Sequence, residues 1–269
     1  MKCEIEKAFN SINRGKSEDI FGLHVSIENI IFAGEKFLDL LHRIINFIFE
    51  NQLIPEFIKI GLLSPIFKNK GDKHQAKHYT GIVVLPIFIK LIEFIARIDS
   101  IPVLLLKPSP IQRGFTEGTS PINAAVIFEE VYHEFEDQNK PFCIALLDVK
   151  SAFDVVVLKI LMRKAYLFGI DLSTWLIIDK LHRNTRSVVK WNNQISQEFH
   201  SSQGVKQGGL LSADFYKLYL EDLLNTLYQS KIGCTIGSIN VNAVACADDV
   251  ALTSEIPYDL QILLNTALL

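Results

Sequence analysis

Two adjacent aspartates, Asp248 and Asp249, interrupt a stretch that is otherwise apolar: Ala243-Val244-Ala245 precedes them and Val250-Ala251-Leu252 follows. Neighbouring like charges repel and resist burial, and a cation relieves the repulsion. The pair therefore belongs at a turn, either a solvated one or one that faces a metal ion. The flanks, residues 239–245 and 250–253, read as the two strands of a hairpin around it. A second apolar run, residues 142–149, stays apolar until Asp148. A carboxylate there is either at the exposed end of its strand or needs a partner. If Asp148 lies beside the hairpin, three hard oxygen ligands converge, a donor set that suits Mg²⁺ with substrate phosphates. Two such ions about 4 Å apart can activate a hydroxyl and stabilise a leaving pyrophosphate. An Asp-Asp pair by itself does not separate this from an ordinary solvated turn.

The rest of the chain mixes helical and strand patterns. Residues 37–53 carry Phe37, Leu40, Leu41, Ile44, Ile45 and Ile48 at helical spacing and end near Pro55, which predicts a buried amphipathic helix. Residues 87–98, 121–135 and 157–168 also read as helices. Ser120-Pro121 suits a cap and first-turn proline, and Gly169 closes the third. Phe215, Tyr219, Leu223 and Leu227 form one stripe of a helix running to about Tyr228. Residues 61–67 read as a strand, 68–74 as an exposed turn and 102–110 as a loop. Residues 187–191 and 197–201 read as strands paired around Asn192-Asn193. The expected fold class is α+β.

Composition narrows the function classes. Hydrophobic residues make up 49% and charged residues 21%, which excludes a disordered chain. The most apolar stretch, residues 82–106, is broken by Lys90, Glu93, Arg97 and Asp99, so no membrane span of about 20 residues is expected. Met1-Lys2-Cys3-Glu4 lacks the apolar core of a secretory signal. Cys3, Cys143, Cys234 and Cys246 share no metal-ligand spacing or disulfide framework. Reduced thiols, and a nuclear or cytoplasmic location, are expected. The net charge is −3, so any nucleic-acid groove must be a local basic region. Lys68, Lys70 and Lys206 are its candidates.

Six segments, in order, resemble the reverse transcriptases of non-LTR retrotransposons. Gly15-Lys16-Ser17 resembles their opening motif. Ser64-Pro65-Ile66-Phe67-Lys68-Asn69-Lys70-Gly71-Asp72 and Gln112-Arg113-Gly114-Phe115 resemble two fingers motifs. Leu147-Asp148-Val149-Lys150-Ser151-Ala152-Phe153-Asp154, the run from Gln203 to Ser212, and Ala245-Cys246-Ala247-Asp248-Asp249 resemble three palm motifs. The resemblance implies a right-hand polymerase fold of fingers and palm, with an antiparallel palm sheet packed on helices. It divides the chain into a helical extension (1–60), a fingers-like region (61–140) and a palm-like region (141–269), with the thumb absent.

It also implies RNA-directed DNA polymerase activity with Mg²⁺ or Mn²⁺. Asp148, Asp248 and Asp249 would be catalytic and, with the Val149 carbonyl, would hold the metal. Phe153 would sit under the incoming sugar and favour deoxynucleotides. Gln207 and Gly208 would line the nucleotide pocket, and Lys68 and Lys70 would face triphosphate or template. The implied partners are an RNA template, a DNA primer, deoxynucleoside triphosphates, and the thumb or other parts of the retroelement protein.

The departures from the family pattern mostly remove cations. Thr80, Thr116 and Thr119 stand where arginine is usual, and Ser151 stands where lysine is usual. Cys246 replaces a tyrosine and Ala213 a proline. Each lost charge-assisted contact weakens phosphate binding by about 1.5–3 kcal/mol when well placed. Two readings follow: a polymerase of reduced activity, or a non-catalytic remnant that keeps the fold and binds nucleic acid weakly or not at all. The apolar end, with Leu260, Ile262, Leu263, Leu264, Leu268 and Leu269, is expected to lack full cover.

Overall fold

Apolar runs punctuated by Pro, Gly and Asn divide the chain into eight helices and ten strands among the described residues. The computed structural model describes residues 2–11, 17–23, 27–104 and 109–268. In order come α1 (Lys2–Ser11), α2 (Ile27–Asn51), β1 (Ile60–Phe67), β2 (Tyr79–Val84), α3 (Ile87–Leu104), α4 (Pro121–Asp137), β3 (Cys143–Leu147), α5 (Leu158–Phe168) and α6 (Leu172–His182). Then follow β4 (Thr185–Trp191), β5 (Gln194–Ile195), β6 (Phe199–Ser201), α7 (Ser212–Gln229), β7 (Thr235–Ile236), β8 (Ile239–Asn240), β9 (Ala243–Cys246), β10 (Asp249–Ser254) and α8 (Pro257–Ala267). The fold is α+β, as expected. Among the described residues no helix is long and apolar enough to cross a membrane. The four cysteines are free thiols.

Local chemistry explains most boundaries. Ser120 and Asn123 form a reciprocal capping box ahead of Pro121, which satisfies two orphan N–H groups of α4. Gly169 takes the left-handed conformation that ends α5 (φ 98°). Asn192 and Asn193 both have positive φ (47° and 60°), the requirement of a tight hairpin turn. The structure departs from these expectations at α3 and α6. The helix expected over 87–98 runs on to Leu104 and contains Pro102, an exposed residue that removes one backbone donor. Of the loop expected at 102–110, residues 105–108 lie outside the described residues, as do Gly15 and Lys16. Helix α6 was not anticipated. Its signal was Asp171, whose carboxylate accepts from the N–H groups of Ser173 (2.9 Å) and Thr174 (3.4 Å).

The chain forms two compact units. One comprises Met1–Leu104 with Phe153–Ala213, the other Leu105–Ala152 with Asp214–Leu269. In the first, a sheet of order β2-β1-β4-β5, with β6 on β4, pairs β1 antiparallel to β2 and parallel to β4. Ile48, Val83, Ile89, Ile92, Ile177 and Leu181 of α2, β2, α3 and α6, with Leu85 between β2 and α3, form a core cluster. Buried Asp19 ties residues 19–23 to α3: it accepts from the N–H of Ile87 (3.2 Å), Phe21 (2.9 Å) and Leu23 (3.0 Å).

In the second unit, β3, β10 and β9 form an antiparallel sheet with β10 in the middle. Leu147, Val250 and Ala245 share one row of the register, and Ala145, Leu252 and Ala243 another. These side chains meet Leu224 and Leu227 of α7 and Leu263 of α8. The chain end is therefore better covered than its apolarity suggested. Leu263 is 0% exposed, and Leu260 and Leu264 pack on the same core, while Leu268 is 78% exposed. Leu269 lies outside the described residues. Leu263→Ala should destabilise the chain by about 2–5 kcal/mol, the cost of a large-to-small change in a closed core, read from the midpoint of a denaturant unfolding curve. A loss below about 1 kcal/mol would mean that α8 contributes little to the core.

Candidate active site

Side chains alternate across a strand, so sheet register decides which residues share a face. Leu147 pairs with Val250, so Asp148 falls opposite Asp249; on its other side Asp249 pairs with Cys246. Asp148, Asp249 and Cys246 thus form a row one step beyond the core row, on the opposite face. Leu146 lies on that face too and is 75% exposed. The carboxylates therefore stand on the open side of the sheet, away from α7 and α8. Asp248 occupies the two-residue turn between β9 and β10, together with Ala247.

The electrostatics agree with this placement. Partial burial, then the negative charges of Asp248 and Asp148, raise the Asp249 pKa. Burial and the same hairpin carboxylates raise the Cys246 thiol. Beneath the turn, Tyr216 of α7 is buried, and its phenol is pushed up by burial first, then by Asp248 among its neighbours. Among the described residues, no three His, Cys, Asp or Glu side chains already stand as a metal cage. The three carboxylates are neighbours rather than a preassembled shell. They nevertheless fit a hard divalent cation, because the donors are acidic oxygens whose mutual repulsion such an ion would offset. Val149 follows Asp148, half-buried.

The segment after residue 109 supports the turn. Ile111 and Arg113 bond Ala245 as an added edge of the sheet (2.9 and 2.7 Å). The buried Gln112 side chain bonds both the N–H and the C=O of Ala247 (2.9 and 3.0 Å). Thr116 donates to the Gly114 carbonyl (3.1 Å), and Thr119 donates to the carbonyls of Arg113 and Thr116. Lys217 holds the Phe115 carbonyl (2.7 Å). Both threonines that replace the usual arginines thus spend their hydroxyl protons on the loop's own backbone.

The remaining candidates belong to the first unit. Val205 donates to the Phe153 carbonyl and Gly204 to that of Val156 (both 2.9 Å), which joins the segment carrying half-buried Phe153 to the loop carrying Gln207 and Gly208. The Gln207 carbonyl accepts from the Val83 N–H (2.8 Å). Gly208 has φ 113°, and a Cβ there would lie 2.4 Å from the Val83 carbonyl oxygen, so only glycine fits this approach to β2.

The same loop rests on a buried acid. Glu93 of α3 accepts from the Leu210 N–H (2.8 Å). Burial raises its pKa from 4.5 to about 7, although that bond and Lys206 pull it down. Burial lowers Lys206 to about 8. An acid inside an apolar helix is the sequence signal for this buried group.

Lys206 is accordingly not part of a basic surface with Lys68 and Lys70. Its ammonium donates to the Lys59 carbonyl (3.2 Å) at the start of β1, whereas Lys68 follows the far end of that strand. Lys68 and Lys70 are exposed, as are Lys73 and Lys77. These four lysines lie in the turn between β1 and β2, beside the ring contacts Phe67–Tyr79 (5.3 Å) and Tyr79–Trp191 (5.2 Å).

The family described as "Reverse transcriptase (RNA-dependent DNA polymerase)" matches residues 72–268. The chain is 31% identical over 159 residues to the Pol polyprotein of the type-2 retrotransposable element R2DM of Drosophila melanogaster, covering 59% of this chain and 15% of that protein. It is 24% identical over 262 residues to the Transposon TX1 uncharacterized 149 kDa protein of Xenopus laevis, covering 96% of this chain and 20% of that one. The chain thus spans about a fifth or less of these relatives. Among solved structures, telomerase from Candida albicans matches with a TM-score of 0.54 at 14% identity, covering 79% of this chain and 41% of that one. Apo telomerase from Candida tropicalis matches with a TM-score of 0.54 at 11% identity, covering 86% and 46%. These two likenesses establish the fold.

Glu93 gives the first unit a measurable pH signature. Between about pH 4.5 and 7 the unfolded chain has released this proton while the folded chain retains it, so stability falls as pH rises through that window. Glu93→Gln keeps an acceptor for Leu210 and removes the titration. Its melting temperature should fall less than that of the native chain between about pH 5 and 7. Parallel pH profiles would show that Glu93 ionises in the folded chain as it does in the unfolded one.

Proposed function

The chain belongs to the reverse transcriptase (RNA-dependent DNA polymerase) family, in its non-LTR retrotransposon type, and on that premise we propose that its open-faced aspartate row performs RNA-templated DNA synthesis by two-metal nucleotidyl transfer. The observation that carries the proposal is the register that sets Asp148 beside Asp249, although 100 residues separate Asp148 from Asp248. In this reading Asp148, Asp248 and Asp249, with the Val149 carbonyl, hold Mg²⁺ or Mn²⁺. Bound there, the ions would lower the pKa of the primer 3′-hydroxyl and neutralise charge on the leaving pyrophosphate.

The protein's own part is positioning. Gln207 and Gly208 present backbone and amide to the nucleotide from a loop pinned on β2. Phe153, joined to that loop through its carbonyl, lies under the sugar and disfavours a 2′-hydroxyl. Lys68 and Lys70, on the exposed turn, face triphosphate or template. Residues 61–140 serve as fingers and 141–269 as palm. The partners are an RNA template, a DNA primer and deoxynucleoside triphosphates, with a thumb supplied by further parts of the retroelement protein.

One observation favours a second reading, a fold that binds nucleic acid weakly without catalysis. The Thr116 and Thr119 hydroxyl protons are engaged within their loop, so they do not replace the phosphate grip of arginines. Primer extension on a homopolymer RNA template with Mg²⁺ or Mn²⁺ separates the two. Incorporation is expected, and Asp248→Asn should reduce it about a thousandfold, as expected for loss of several kcal/mol of charge stabilisation. Phe153→Ala should raise ribonucleotide incorporation relative to deoxynucleotide. Salt-dependent binding with no incorporation would overturn the catalytic reading in favour of the second.

A further inference from the structure

The turn that carries Asp248 is strained and braced from outside. Ala247 has φ 62°, in the left-handed region that a Cβ disfavours. Asp249 pairs with Cys246 across the turn, so the Ala247 peptide lies beyond the last rung of the sheet ladder. Its polar groups are met by one side chain. Gln112 Oε1 accepts from the Ala247 N–H (2.9 Å), and Gln112 Nε2 donates to the Ala247 carbonyl (3.0 Å). The same Oε1 accepts from the Gly114 N–H (2.7 Å), and Gln112 is 4% exposed. Gly114 lies flush against the turn: a Cβ there would sit 2.0 Å from the Ala247 nitrogen and 2.6 Å from its Cα. Flexible side-chain adjustment cannot relieve a clash with backbone.

We propose that Gln112 and Gly114 form a clamp that fixes the position of the Asp248 turn, and through it the metal-binding geometry of the aspartate row. Gln112 is a positioning residue: it acts through Ala247 and touches neither substrate nor metal. The inference deepens, and rests on, the metal-dependent reading of Asp148, Asp248 and Asp249. The requirement is specific. The site needs one acceptor and one donor on the same short planar group, aimed at the two polar groups of a single residue. Glutamine supplies both. An ionised glutamate supplies only acceptors, and leucine supplies neither. A protonated glutamate restores the donor, so Gln112→Glu should behave like glutamine only while its carboxyl is protonated.

The test is Mn²⁺ binding to the full chain without nucleic acid, followed by electron paramagnetic resonance. The proteins are wild type, Asp248→Asn, Gln112→Leu and Gln112→Glu, with folding checked by circular dichroism. Asp248→Asn should weaken binding, which tests the metal reading itself. Gln112→Leu should weaken it roughly tenfold or more, as removal of an outer support of a metal ligand typically does. Gln112→Glu should bind close to wild type at low pH and lose affinity relative to wild type as pH rises. That profile decides the matter even if Gln112→Leu fails to fold. If Asp248→Asn loses Mn²⁺ while Gln112→Leu binds as wild type, or the Gln112→Glu to wild-type ratio stays flat with pH, the clamp is overturned and the metal reading stands. If Asp248→Asn binds as wild type, the metal reading fails and the clamp proposal fails with it.

Discussion

The antiparallel register of three short strands carries the site. Leu147 pairs with Val250 and Cys246 with Asp249, and alternation does the rest: core side chains face α7 and α8, while Asp148 and Asp249 face the other way. A slip of one residue in either pairing would turn an aspartate into the Leu224, Leu252 and Leu263 core, where an unpaired charge is prohibitively costly. The apolar packing of one face and the placement of charge on the other are therefore one constraint. Neither can change alone.

Within each unit, polar groups and bare glycines hold the loops that carry candidate residues. Gln112 and Gly114 brace the turn within one unit. In the other, Glu93 meets Leu210 N–H, and the Val83 edge of β2 meets Gln207 and Gly208. In both places a buried side chain or a bare Cα holds a loop that carries a candidate site residue. Buried polar groups of this kind cost stability unless matched, and matched they specify a single arrangement. At Glu93 burial raises the pKa, against the bond from Leu210 and the charge of Lys206, which lower it.

The departures from the family pattern have physical consequences of their own. Thr116 and Thr119 do more than delete positive charge, because their hydroxyls close the loop between Arg113 and Thr119. The exposed lysines between β1 and β2 concentrate positive charge on a chain of net charge −3. Lys68 and Lys70 lie on that exposed turn, whereas half-buried Lys206 donates to the Lys59 carbonyl at the start of β1.

Periodicity, caps and turn residues by themselves determined the α+β class, the hairpin around Asp248-Asp249, the capped start of α4, the glycine end of α5 and the Asn192-Asn193 turn. These features depend on residues close together in sequence, whose steric and hydrogen-bonding preferences act locally. The shared motif order identified the family, and with it the candidate residues. Only tertiary structure decided which distant groups meet. The placement of Asp148 opposite Asp249, the Gln112 bonds to Ala247, the Lys206 bond to the Lys59 carbonyl and the cover that α8 gives the sheet all join residues far apart in the chain. Each depends on a register or packing choice that no short window encodes, because the free energy that selects it comes from burying whole faces and satisfying buried polar groups across the fold.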